Sequence, residues 1–154
     1  NEVRQMTDKA IILAGAITTG RDVLTAQVMG ADLVYMGTRF INTEESGAKD
    51  GYRQMIVEAN ATDIFFTAVM DGAPANLLAP SLIRAGVDLD GLKRQTPGAI
   101  VAADEGRKRW KDVWSAGHGV GSINDVLSVA ALAGRLKAEY DAAKGDLGRF
   151  QAAV

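Results

Sequence analysis

The chain has 154 residues, enough for one domain with a core of its own. Apolar residues make up 47% and charged residues 23%, a globular composition, and a net charge of −2 offers nucleic acid no electrostatic footing. There is no cysteine and a single histidine, His118, so disulfides, thiolate nucleophiles, Cys-type zinc sites and multi-His metal centres are excluded within the chain.

No apolar run approaches the length of a membrane span, and the first residues lack the layout of a signal peptide. The expectation is a cytoplasmic protein with no membrane partner. Asn1 to Lys9 is polar, like the tail of an earlier element. Ala10 to Ala14 predicts a buried strand, and Arg21 to Met29 a helix that Thr18 or Thr19 can cap and Gly30 can end. Leu33 to Met36 predicts a second buried strand, which makes a βαβ unit with parallel strands. Thr43 with Glu44 and Glu45 looks like a helix start, and Lys49 to Ala59 fits an amphipathic helix carrying Tyr52, Met55, Ile56 and Ala59 on one side.

Ile64 to Val69 predicts a strand and Gly72-Ala73-Pro74 a turn. Asn76 to Ala85 predicts a helix with Pro80 shifting its start. Leu89 to Gly98 fits no single pattern, and Ala99 to Lys111 predicts a helix with a basic exposed face. Ser115 to Gly121 is too glycine-rich for a regular element. Asn124 can cap a long helix over Asp125 to Lys144, with Val126, Val129, Ala133, Leu136 and Tyr140 at helical spacing, and a short helix can follow Gly145.

Glycine stands where each of the first two strands stops, at Gly15 and Gly37. Glycines at corresponding ends of neighbouring strands let backbone N–H groups approach a phosphate, although each is equally a turn glycine of an α/β fold. Thr38 is a helix cap, a ligand, or both. Arg39 is a neutralising cation, a solvated arginine or a structural ion-pair partner. Trp110 and Trp114 suit packing anchors. Two strands cannot close a barrel or cover both faces of a sheet, so the chain looks like the back half of a larger parallel α/β structure.

Leu13-Ala14-Gly15-Ala16-Ile17, Gly20-Arg21, Gly30-Ala31-Asp32, Met36-Gly37-Thr38-Arg39-Phe40 and Thr43-Glu44-Glu45-Ser46 together resemble the nitronate monooxygenase family, formerly called 2-nitropropane dioxygenase. Trp114-Ser115-Ala116-Gly117-His118-Gly119-Val120-Gly121 resembles a second signature of that family. Order and spacing agree over nearly the whole chain, which matches the C-terminal half of the family's usual length. Three positions depart from the pattern: Ala16 replaces a second glycine, Ala73 an arginine, and His118 a glutamine.

The resemblance implies an α/β fold, the C-terminal part of a TIM-like (β/α)8 barrel with a small helical domain after the last strand. Residues 1–46 would supply the last two barrel strands and their FMN-phosphate loops. Residues 47–112 would form a small, mostly helical inserted domain. Residues 113–154 would give a glycine-rich pocket loop and a helix packing back on the barrel. FMN is the implied cofactor, bound by Gly15, Ala16, Tyr35, Met36, Gly37 and Thr38, with His118 lining the flavin or substrate pocket rather than acting as a base. Phosphate sites of such barrels commonly lie in the loops after strands seven and eight. The implied reaction is oxidation of nitronates or nitroalkanes by molecular oxygen, with the group that handles the substrate proton on an earlier strand outside this chain. The alternatives are an FMN-dependent enoyl-acyl carrier protein reductase and a non-catalytic half-barrel fragment. The expected partner is the missing N-terminal half of the barrel or another copy of the chain, since an open sheet edge invites association.

Overall fold

A computed structural model describes residues 2–68, 73–94 and 112–151. The chain opens with a short helix α1 (Glu2–Met6), strand β1 (Ile12–Ala14), helix α2 (Gly20–Val28) and strand β2 (Leu33–Tyr35). β1 and β2 pair in parallel, Ile12 opposite Leu33, Leu13 opposite Val34 and Ala14 opposite Tyr35. This is the predicted βαβ unit. Asp32 holds it at the strand starts, accepting from the Ile11 N–H at 2.8 Å and from Arg4 of α1 at 2.5 Å. The Ile11 N–H first and Arg4 second hold the Asp32 carboxyl below its ordinary range.

α2 begins and ends as its residues dictate. Thr19 is the N-cap of a reciprocal capping box with Asp22. At the other end Gly30 adopts φ +97°, its N–H bonds to the Gln27 carbonyl, and the Ala31 N–H bonds to that of Ala26. This is a Schellman ending, which needs the left-handed backbone glycine allows.

The strands are less buried than expected. Leu13 and Val34 are half-buried on the side that α2 crosses, while Ile12, Ala14, Leu33 and Tyr35 are exposed on the other. Successive side chains alternate faces, and among the described residues no element covers the second face.

The core lies in the later part of the chain. After α3 (Thr38–Ile41) come α4 (Asp50–Glu58), a 3-10 turn at Ala61–Asp63, and an antiparallel hairpin of β3 (Ile64–Thr67) and β4 (Ala75–Leu78). Then follow α5 (Ala79–Arg84), α6 (Leu89–Arg94), a 3-10 turn at His118–Ser122 and α7 (Val129–Gln151). Ile56, Ala59, Leu78, Trp114, Ala116, Val120 and Ile123 form one buried cluster; Leu77, Leu82 and Val113 form a second. Full burial of a leucine such as Leu77 or Leu78 stabilises by about 2 kcal/mol. Trp114 is the packing anchor predicted for it, stacked on Tyr52 with ring centroids 5.0 Å apart and carrying the Arg84 guanidinium 4.0 Å from a ring centre. Trp110, the expected helix over Ala99 to Lys111 and Gly72 of the expected turn lie outside the described residues.

Several elements differ from expectation, each for a tertiary reason. Ala75–Leu78 is a strand rather than the start of a helix, because it pairs with β3 and its Leu77 bridges Ser115; Pro80 then sits in the first turn of α5, where proline is tolerated. Thr43-Glu44-Glu45 starts no helix: Thr43 bridges Leu127, and the Glu45 carboxylate accepts the Val129 N–H at the head of α7. α7 starts at Val129, not Asp125, and Ser128 rather than Asn124 caps it, with its Oγ accepting the Ala131 N–H at 3.2 Å. It runs unbroken through Gly145 to Gln151, so no separate short helix follows. Its buried residues include Leu132 and Ala143, whereas Val129 and Ala133 of the predicted stripe are exposed. The run Ser115 to Gly121 does contain a regular element, the 3-10 turn His118–Ser122.

Candidate functional site

The site is built on the carboxyl ends of β1 and β2. Beyond β1 the backbone turns through two left-handed residues, Gly15 at φ +99° and Ala16 at φ +55°. Glycine adopts this region freely, while alanine is held there at a cost of about 1 kcal/mol. Strain of this kind persists where surrounding structure enforces it. Here the neighbour is Gly119: a Cβ built on it would lie 2.7 Å from Thr18 Cγ2 and 3.0 Å from Ala16 Cα. Ala16→Gly should therefore raise stability by about 1 kcal/mol, read as a higher denaturant midpoint; an unchanged or lower midpoint would mean that the left-handed geometry carries no strain.

Beyond β2 comes Gly37, which precedes the four-residue helix α3. A Cβ built on Gly15 or on Gly37 meets nothing within 4 Å, so both glycines face open space. The Gly15 N–H closes the parallel ladder on the Tyr35 carbonyl, whereas among the described residues the N–H groups of Ala16, Gly37 and Thr38 have no hydrogen-bond partner. The donors at the head of α2 are different. The Thr18 and Thr19 N–H groups go to the Asp22 carboxylate at 3.0 and 2.8 Å, and that of Gly20 goes to Glu139 of α7 at 2.7 Å. Burial alone would raise the Asp22 pKa, but the hydrogen bonds from Thr18 and Thr19 outweigh it and hold the carboxyl below its ordinary value. An anion is thus offered the strand-end loops rather than the α2 terminus.

A third segment joins the two loops. The Gly117 N–H donates to Thr38 Oγ1 at 2.8 Å, and the turn that follows carries His118, whose side chain is exposed. Of the predicted site residues, the structure brings Gly15, Ala16, Gly37, Thr38 and the backbone flanking His118 to one end of the two-stranded sheet. Met36 is half-buried beside them. Tyr35 is 68% exposed on the open sheet face. Gly117 and Gly119, which dock the turn, were not singled out as site residues; their spacing around His118 was the available signal.

Arg39 resolves into the ion-pair alternative. It is 3% exposed and bonds Asp125 at 2.8 Å, while Arg135 bonds the second Asp125 oxygen at 2.6 Å. The Asn42 side-chain amide donates to the Asp125 carbonyl at 2.8 Å. Arg39 is therefore committed to Asp125, which leaves backbone N–H groups and the Thr38 hydroxyl as the candidate donors at the strand ends. Among the described residues no group of His, Asp and Glu could hold a metal ion, and no helix is long and apolar enough to cross a membrane.

Residues 1–139 match the sequence profile of the family described as nitronate monooxygenase. A protein of Staphylococcus saprophyticus named "Probable nitronate monooxygenase" is 32% identical over 124 residues, covering 73% of this chain and 35% of the relative. A protein of the same name from Staphylococcus haemolyticus is 31% identical over 113 residues, covering 68% of this chain and 32% of the relative. Among solved structures, a mutant of FabK from Thermotoga maritima superposes with a TM-score of 0.74 at 26% identity, over 97% of this chain and 48% of that one. Nitroalkane oxidase from Streptomyces ansochromogenes superposes with a TM-score of 0.71 over 95% of this chain and 43% of that one; at 24% identity this likeness speaks for fold alone. Both neighbours are TIM-barrel enzymes. The chain spans about a third of the length of the curated relatives and under half of these two solved chains.

Proposed function

Because this chain belongs to the nitronate monooxygenase family, a family of oxidoreductases, we propose that it holds FMN at the ends of β1 and β2 and serves the oxidation of nitronates or nitroalkanes by molecular oxygen. One observation carries this reading: two adjacent strand ends each present a glycine facing open space beside backbone N–H groups without a partner among the described residues. That arrangement suits a phosphate dianion, which needs several short donors and backbone that can approach closely.

In this reading Gly15 leaves room for the FMN phosphate to approach the backbone, Ala16 and Gly37 contribute N–H groups to it, and Thr38 adds its N–H and its hydroxyl proton. Tyr35 and Met36 flank the second loop, and His118 lines the pocket. FMN held by these residues would supply the redox chemistry that the side chains of this chain lack. The protein's part is to bind and orient. No residue of this chain is assigned the substrate proton, which falls to a group outside it. The open face carrying Ile12, Ala14, Leu33 and Tyr35 supports a complementary reading. In it, this chain is the C-terminal part of a barrel whose other strands, or another copy, cover that face. Residues 1–46 would be barrel, 47–112 an inserted domain, and 113–154 the pocket turn and returning helix.

The test is the visible absorption spectrum of the purified protein, with the chromophore released and identified, followed by oxygen uptake on a nitronate. FMN with nitronate-dependent uptake supports the reading. Reduction of the flavin by NAD(P)H without nitronate turnover would favour the enoyl-acyl carrier protein reductase type. A protein that neither carries nor takes up flavin would favour a non-catalytic fragment. Gly37→Val should abolish flavin retention with the fold kept, since its side chain enters open space and meets no protein atom near the Cβ. Unchanged flavin content in the folded variant would remove Gly37 from the cradle.

A further inference from the structure

We propose that Thr38 is a positioning residue: its hydroxyl oxygen docks the His118-bearing turn on the strand ends and couples that turn to the anion held there. The proposal rests on the FMN reading for the identity of the anion, but not for the docking itself. The turn is attached at two points. Thr38 Oγ1 accepts the Gly117 N–H at 2.8 Å, and the backbone at Gly119 lies so close to Ala16 and Thr18 that a Cβ would be 2.7 Å from Thr18 Cγ2. The two contacts lie on either side of His118 in sequence, one reaching the β2 end and the other the β1 end. Gly117 is the N-cap of the 3-10 turn and has no side-chain cap of its own, so the Thr38 oxygen is the group that fixes where the turn begins.

A hydroxyl accepts and donates at once. With its oxygen occupied by the Gly117 N–H, Thr38 keeps one proton to give. An anion that takes this proton polarises the oxygen and strengthens its hold on Gly117, because successive hydrogen bonds reinforce one another. Anion binding then tightens the turn, and by reciprocity a docked turn tightens anion binding. Valine at 38 keeps the shape and removes both functions, whereas serine keeps both.

The experiment uses the whole chain, with amide hydrogen exchange at Gly117 and the affinities for FMN and riboflavin as readouts. Thr38→Val should speed Gly117 exchange about tenfold without ligand and weaken FMN about tenfold, the worth of one hydrogen bond. Thr38→Ser should restore both. In the wild type, FMN should slow Gly117 exchange and riboflavin, which lacks the phosphate, should not. Gly117→Pro removes the donor instead of the acceptor at a φ of −88°, near the range of proline. It should weaken FMN to a similar degree, and the double variant should lose less than the sum of the two. Unchanged Gly117 exchange in Thr38→Val, or serine failing to rescue it, overturns the docking. FMN that leaves wild-type Gly117 exchange unaltered overturns the coupling. A wild type that binds no FMN overturns the coupling to that ligand together with the flavin reading, while ligand-free exchange still decides the docking. If Thr38→Val does not fold, the Gly117→Pro and Thr38→Ser results decide it.

Discussion

Asp125→Ala should lower stability by about 3 kcal/mol, among the largest losses available from one side chain, measured as a shift of the denaturant midpoint. The change strips the partner from Arg39, whose side chain is 4% exposed, and a buried guanidinium left alone costs far more than a surface pair contributes. Asp125 also bonds Arg135, so one carboxylate clamps α3 to α7. A loss below about 1 kcal/mol would mean that water reaches Arg39 readily. The same group gives the protein an acid limit. Burial raises the Asp125 pKa, but the hydrogen bonds from Arg135 and Arg39 outweigh it and hold the folded-state value below the ordinary one. A depressed carboxyl contributes stability that is complete above its unfolded value of about 3.9 and disappears as pH falls through the folded value. Asp125→Asn should therefore flatten the fall of stability below about pH 4, and an unaltered acid profile would assign that limit elsewhere.

Gly20→Ala should cost a comparable amount, about 3 kcal/mol, from a single added methyl group. The Cβ would be driven into the Leu136 carbonyl oxygen and the Tyr140 nitrogen of α7. Both are helix backbone, so α7 as a whole must move away from α2. The move would also loosen the Glu139 carboxylate on the Gly20 N–H and the hydrogen bond from the Tyr140 hydroxyl to Gln27. The exposed pair of Arg21 with Asp146 at 3.0 Å offsets little of this. A variant that melts with the wild type would show that the two helices approach less closely than the structure has them. Gly20 is thus a packing glycine, unlike Gly15 and Gly37, which face open space.

The residues that set local geometry were legible. Thr19 and Asp22 make a cap within four residues, Gly30 ends α2 because its backbone is left-handed, and the short apolar runs at Ile12 to Ala14 and Leu33 to Tyr35 fit paired strands. The pair Gly15 and Gly37 was legible as a candidate cradle for the same reason: strand-end glycines are a local signal. Three features were not. Ala75–Leu78 has no strong strand pattern and became a strand by pairing with β3. Glu45 stood as a helix start, yet it caps α7, 84 residues away. Arg39 carried three readings until Asp125 and Arg135 closed around it.

By itself the sequence determined the family, the βαβ unit, the ends of α2 and the place of the glycines, because caps, turns and strand periods are written in neighbouring residues. Tertiary structure alone decided where α7 begins, since Leu127 bridges Thr43 and Asp125 is held by Arg39 before the helix can start. It alone joined Gly117 to Thr38 and Gly119 to Ala16, contacts across 79 and 103 residues of chain. Such contacts follow from how far the chain folds back on itself, a property that no short stretch of residues carries.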